Sequence, residues 1–138
     1  MAQSPLNRLT AAVGYPEEAP EGAVEFTFQV DGAAVRAEAS GARIILSLVL
    51  ANAPGELELQ QIASWAAGRI LREDATIAAD PRTGEVILWQ DEASNTDSRT
   101  LHRFFETFLN SVDWWRERID SLRSVNRENV DESLVIRP

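Results

Sequence analysis

Alternation of apolar and polar residues marks three strands in the first half of the chain. In residues 24–30 every second side chain is apolar, which is typical of a strand with one buried face. The Asp31-Gly32 pair that follows favours a hairpin turn, and the alternation resumes over residues 35–39. Residues 43–50 are apolar on both faces, which predicts a central strand or a strand covered on both sides.

A period of 3.6 residues marks three helices. The first is predicted over residues 5–13, because Ser4 is a favourable N-cap and Gly14 a favourable stop. The second is predicted over residues 57–72, and the third over residues 98–122, where apolar residues stay in step with the helical period. The turn-rich, acidic stretch between the first helix and the first strand, residues 15–23, is expected to be a mobile loop.

A second hairpin separates the last two helices. Residues 75–79 and 86–90 are joined by the turn-forming residues 80–84, and the polar residues 91–98 close the hairpin. The order helix, three strands, helix, two strands, helix predicts an α+β fold with an antiparallel twisted sheet flanked by helices. We assign residues 1–123 to a single domain and the mostly polar residues 124–138 to a C-terminal tail.

The net charge of the chain limits the classes of molecule that it is expected to bind. Its 138 residues carry a net charge of −9, with a pI near 4.6, so its field repels phosphate backbones and argues against nucleic acid. The chain contains no cysteine, which excludes disulfides and thiolate metal sites. No run of about 18 apolar residues occurs, so membrane insertion is not expected and a cytoplasmic location is.

Signals for catalysis are weak. His102 is the single histidine, so it cannot build a multi-histidine metal site, and a surface position on the third helix explains it. The adjacent acids at residues 73–74 and 91–92 are typical of solvated turns, and no phosphate loop, dinucleotide fingerprint or zinc spacing occurs. We therefore expect no enzyme activity, no cofactor and no metal site.

Three stretches of the chain carry a family resemblance. Residues 6–14 begin with Leu-Asn-Arg-Leu and end at glycine, residues 80–89 read Asp-Pro-Arg-Thr-Gly-Glu-Val-Ile-Leu-Trp, and residues 101–119 contain Phe-Phe-Glu-Thr-Phe-Leu and Trp-Trp-Arg-Glu-Arg-Ile. In this order they resemble the first helix, the second hairpin and the closing helix of the class I type III secretion chaperones, the Tir-chaperone (CesT-like) family. The resemblance covers about residues 5–122.

The resemblance implies a homodimer that binds the unfolded N-terminal segment of an effector, keeps it soluble and ready for export, and uses no ATP. Such a segment can add to a strand edge or lie in a hydrophobic groove. Two alternatives stay open: a heterodimeric co-chaperone or assembly subunit of the secretion system, and a YbjN-like domain of unknown role.

Two sets of residues are candidates for these contacts. The apolar side of the first helix and its neighbouring strands are expected to line grooves for the partner's apolar side chains, through Leu6, Leu9, Val13, Phe28 and Trp89. One stripe of the second helix is expected to form the dimer interface, through Ile62, Trp65, Ala66 and the stem of Arg69. For each set the alternative is that the side chains pack within the chain's own core.

Overall fold

The elements follow the predicted order. A computed structural model describes residues 4–136, with side chains described for residues 4–124. The elements are α1 (Pro5–Val13), β1 (Glu25–Val30), β2 (Ala33–Ser40), β3 (Arg43–Asn52), α2 (Glu56–Arg69), β4 (Thr76–Ala79), β5 (Glu85–Ala93) and α3 (Ser98–Ile136). The predicted α+β fold is therefore confirmed.

The five strands form one antiparallel sheet in the order β1-β2-β3-β5-β4. Strands β1 and β4 are the edges, and β3 is central as predicted. The turn between β1 and β2 places both Asp31 (φ 49°) and Gly32 (φ 78°) in the left-handed region, as a two-residue type I′ hairpin requires. The Asp-Gly pair thus fixes the register of the first hairpin.

One face of the sheet carries the core. Helices α1 and α3 lie against this face, and alternate strand residues point into it. The core side chains that are almost fully buried include Leu6, Leu9, Phe28, Val35, Ala37, Ile44, Leu46, Leu88, Leu101, Phe108 and Trp115. On the opposite face Val49 is 44% exposed, so β3 is covered on one side rather than on both.

Three predicted boundaries are wrong. Helix α2 ends at Arg69, three residues before the predicted end at residue 72. Strand β5 continues to Ala93, because Asp91 pairs with Ile45 and forms an ion pair with Arg43 at 3.0 Å; a cross-strand partner makes a polar residue compatible with a strand end. Helix α3 continues to Ile136, past the point near residue 122 where the apolar period stops. The division into a domain of residues 1–123 and a tail of residues 124–138 stays a prediction.

The ends of α1 and the loop after it are well defined. Ser4 Oγ accepts a hydrogen bond from Asn7 N–H (3.2 Å), and Gly14 closes the helix in the left-handed region (φ 70°), so both predicted caps are confirmed. The loop at residues 15–23 is attached to α1, because Asn7 Oδ1 accepts from Ala19 N–H (2.8 Å) and Ala19 is buried.

Candidate functional site

An open groove of about 470 Å³ lies between the C-terminal end of α1, the edge strand β1 and the first turns of α3. Its lining residues are Val13, Gly14, Tyr15, Pro16, Val30, His102, Phe105, Glu106 and Leu109. The His102 side chain is 56% exposed, with Nδ1 3.5 Å from Glu106 Oε2, so the polar pair forms a rim and the apolar side chains form the bed.

Aromatic packing fixes one wall of this groove. The Tyr15 ring meets Phe26 and Phe28 edge-on, with centroid distances of 5.8 and 4.8 Å, and Phe28 in turn lies 4.9 Å from Phe105. Edge-to-face pairs of this kind contribute about 0.5–1.5 kcal/mol each beyond their buried area. The cluster therefore holds Tyr15 beside β1.

The free edge of β1 reaches the groove at the end of the strand, where Val30 lines it. Successive N–H groups of an edge strand point alternately towards its partner and away from the sheet. In β1 those of Phe26, Phe28 and Val30 face β2, and those of Glu25, Thr27 and Gln29 point away from the sheet. Tyr15 Oη accepts from Gln29 N–H at 3.0 Å. In the described part of the chain, Glu25 and Thr27 N–H have no acceptor. An unpaired edge beside an apolar groove can receive an extended segment.

The predicted partner-binding residues lie in different places. Three of them, Leu6, Leu9 and Phe28, are at most 1% exposed and pack in the chain's own core. In this conformation they are therefore core residues, which was the alternative to partner binding. Val13 lines the groove. Trp89 pairs with Ser47 on the opposite face of the sheet, so the structure does not bring it to the other four residues.

The predicted dimer stripe of α2 faces α3 of the same chain. Ile62 is 2% exposed, and the Trp65 ring centroid lies 6.4 Å from those of both Trp114 and Trp115. The Arg69 guanidinium stacks on Trp114 at 3.8 Å. The half-buried Ala66 lines a crevice that Trp115 closes. These contacts occupy the stripe within the subunit.

Large apolar side chains are exposed at both ends of α2. Leu57 is 76% exposed and Leu59 40% exposed near its start, and Ile70 (76%) and Leu71 (95%) are exposed just after its last residue, Arg69. Exposed apolar side chains of this size often mark a protein interface. The candidate self-association surface is therefore the apolar ends of α2, defined by Leu57, Leu59, Ile70 and Leu71.

Of the residues that line the groove, the sequence predicted only Val13 as a partner contact; the large apolar or aromatic ones that it missed are Tyr15, Val30, Phe105 and Leu109. Phe105 and Leu109 are four residues apart on α3, so a helical projection beside the main apolar stripe could have indicated them. Tyr15 follows the stop glycine inside a turn-rich loop, where no periodic signal exists.

The described residues hold no group of three or more His, Cys, Asp or Glu side chains that could bind a metal ion. Among the helices described, none combines the length and the apolar character that a membrane span needs. The candidate sites in the described residues are therefore the groove and the apolar ends of α2.

Comparisons with known proteins agree with this fold. Residues 5–116 match the model of the Tir chaperone protein (CesT) family. The chain is similar to solved structures from the HopA1-SchA chaperone-effector complex (16% identity, TM-score 0.65, 81% of this chain and 90% of that one) and the ExsC-ExsE complex (18%, 0.63, 82% and 89%). A third is the ExoT-SpcS complex from Pseudomonas aeruginosa (16%, 0.61, 79% and 91%).

A search of curated proteins found no match. At identities of 14–18% the structural similarities establish the fold alone. The family model, however, spans most of the chain and includes all three stretches on which the resemblance was recognised except the last residues of the closing helix. The chain belongs to the Tir chaperone protein (CesT) family.

Proposed function

We propose that this chain is a cytoplasmic type III secretion chaperone that binds the N-terminal segment of an effector and keeps it soluble and export-competent. The observation that carries the proposal is the open apolar groove beside the unpaired edge of β1, in a member of a chaperone family. Structurally similar chains come from the HopA1-SchA chaperone-effector complex and from the ExoU-SpcU complex of the type III secretion system of Pseudomonas aeruginosa.

The groove and the edge act together. An extended segment that pairs with β1 gains main-chain hydrogen bonds, and alternate side chains of that segment point towards one face. Those side chains would contact Val13, Phe105 and Leu109, which line the groove. The net charge of −9 discourages anionic partners and favours segments with basic residues. Binding alone achieves this function, without catalysis, cofactor or ATP.

Val13→Asp tests the groove. Val13 is only half-buried, so the variant is expected to keep its circular dichroism spectrum. It should lose co-purification with a co-expressed N-terminal fragment, about 100 residues long, of the secreted protein encoded beside this chain. A charge in the apolar bed would have to be desolvated when the segment binds.

Two controls make this result specific. Val49→Asp introduces the same change on the opposite face of the sheet, at a residue that is 44% exposed, and should leave co-purification intact. Leu9→Asp places a charge in the core and should unfold the chain, because Leu9 is 0% exposed. A folded Val13→Asp variant that binds the fragment like the wild type would contradict the groove as the binding site.

We propose further that two copies associate through the apolar ends of α2. Of the residues first expected at the interface, Trp65 packs on Trp114 and Trp115, Arg69 stacks on Trp114, and Ile62 is 2% exposed within the same subunit. The apolar ends of α2 leave several large apolar side chains in water, at a cost of roughly 25 cal/mol per Å² relative to burial. A second copy of this chain, as expected for a homodimeric chaperone, would cover that surface.

A further inference from the structure

We propose that Tyr15 guards the edge of β1 in the free chain, and that it releases Gln29 N–H when a partner strand pairs with that edge. This inference rests on the proposed function and adds the residue that regulates access to the same site. Tyr15 is the only tyrosine in the chain.

The guard is built from two kinds of contact. The Tyr15 hydroxyl occupies the position that a carbonyl of an added strand would take, because it accepts from the outward-facing Gln29 N–H at 3.0 Å. The ring packs on Phe26 and Phe28, which belong to the buried face of the same strand. The hydroxyl can therefore be replaced while the ring keeps part of its packing.

The backbone near Tyr15 is tied to α1. Tyr15 N–H donates to Thr10 O at 3.0 Å, and Ala19 N–H donates to Asn7 Oδ1 at 2.8 Å. These two bonds place the guard at the junction of α1 and β1, where the groove begins. Tyr15 and Val30 both line the groove, so a partner strand that extends to Gln29 reaches the groove at Tyr15.

The arrangement protects one part of the edge and leaves another open. Glu25 and Thr27 N–H have no acceptor among the described residues, so a partner strand can begin pairing there. Extension of the ladder to Gln29 then requires the Tyr15 hydroxyl to leave. Exposed strand edges promote association between chains, and a blocked position at one end shortens the edge available for it.

The energetic balance permits this exchange. A neutral hydrogen bond to a hydroxyl and one to a partner carbonyl are of similar strength, so a partner that competes with Tyr15 loses little affinity. Removal of the hydroxyl should therefore strengthen partner binding by about two- to fivefold rather than abolish it.

Tyr15→Phe tests the guard, since it removes the hydroxyl and keeps the ring. In the free protein, amide hydrogen exchange at Gln29 should become about fivefold faster or more, while exchange at Thr27 stays fast in both proteins. The N-terminal fragment of the adjacently encoded secreted protein should bind Tyr15→Phe two- to fivefold more tightly. In both complexes the amides of Thr27 and Gln29 should exchange slowly.

Thr83→Val is the matched control. It removes a hydroxyl that accepts from Glu85 N–H at 3.2 Å in the turn between β4 and β5, far along the sheet from β1. This variant should leave Gln29 exchange and partner affinity unchanged.

The outcomes separate the two proposals. Equal Gln29 exchange in the wild type and Tyr15→Phe would overturn the guarding contact. A fragment that binds without protecting Thr27 and Gln29 would overturn the release of Tyr15 and leave the chaperone function standing. A fragment that does not bind either protein would overturn the proposed function and, with it, the role of Tyr15 in partner binding.

Discussion

Trp115 donates its indole N–H to Glu73, with 3.1 Å between Nε1 and Oε1. The Glu73 side chain is only 4% exposed and also accepts a hydrogen bond from Arg69 Nε. Glu73 lies just after α2, and Trp115 lies in the middle of α3. This contact and the tryptophan cluster therefore fasten α2 to α3, whereas most of α2 lies outside the main core.

Replacement of Glu73 tests this attachment. Glu73→Leu should lower the free energy of unfolding by about 1–3 kcal/mol, because the buried indole N–H of Trp115 loses its acceptor and Arg69 loses its partner. Urea unfolding followed by tryptophan fluorescence measures the change. Asp74→Asn, at the exposed neighbouring acid, should change stability by less than about 0.5 kcal/mol; equal effects of the two substitutions would contradict the attachment.

Local signals predicted much of the fold. Ser4, Pro5 and Gly14 set the limits of α1, and the pair at residues 31–32 sets the first hairpin, since each of these residues satisfies a backbone requirement of its own neighbours. The two-sided apolar run of β3 correctly indicated a central strand. The same run could not show that one face of β3 is open, because the position of the helices relative to the sheet decides whether that face is covered.

Contacts between distant residues were harder to predict. On α2, Leu59 and Ile62 are three residues apart and share one side of the helix, yet Leu59 is 40% exposed and Ile62 is 2% exposed. Burial on this helix therefore depends on the neighbours that the fold provides and not on the helical period alone. In the groove, the role of Tyr15 depends on Gln29, which lies 14 residues further along the chain. Of the contacts predicted near α1, Val13 lines the groove, whereas Leu6 and Leu9 are buried in the core.

Self-association of the chain can be separated from its folding. Ile70→Glu should give a folded monomer by light scattering, because Ile70 is 76% exposed at the C-terminal end of α2 and a second copy would have to desolvate the new charge. Trp65→Glu should instead destabilise the subunit by about 2–4 kcal/mol, since Trp65 packs on Trp114 and Trp115.

Two other results would change this interpretation. An Ile70→Glu variant whose mass in solution equals that of the wild-type dimer would place the interface elsewhere. A wild-type chain that stays monomeric until a different, co-expressed chain is added would favour a heterodimeric co-chaperone.

The start of α3 gives the chain a defined pH dependence. Hydrogen bonds from the side chain and then the backbone of Thr100 hold the pKa of Asp97 below its ordinary value of 3.8. A carboxyl with a lowered folded-state pKa contributes stability above its unfolded pKa and loses that contribution as the pH falls through the folded pKa. Asp97→Ala should therefore melt at a lower temperature than the wild type at pH 7.

The same linkage predicts how the difference varies. The gap in melting temperature between the wild type and Asp97→Ala should narrow as the pH falls below 3.8, because protonation removes the charged acceptor from the wild type as well. A carboxyl titration by NMR should give Asp97 a midpoint below 3.8. A gap in melting temperature that stays constant through this acid range would show that the charge of Asp97 does not stabilise the helix start.

Trp89 offers a spectroscopic test of the open face of the sheet. The chain has four tryptophans, and Trp65, Trp114 and Trp115 form one cluster between α2 and α3, whereas Trp89 lies alone on the opposite face of the sheet. If Trp89 contacts the partner segment, as the sequence predicted, the emission of Trp89 should shift to shorter wavelength on binding, because water is removed from the indole. Trp89→Phe conserves an apolar ring and should cost less than about 1.5 kcal/mol of stability, so a binding-induced shift that disappears in this variant would assign the contact to Trp89. A shift that persists in Trp89→Phe would instead originate in the cluster between α2 and α3, and would mean that the partner acts on α2 and leaves the open face of the sheet free.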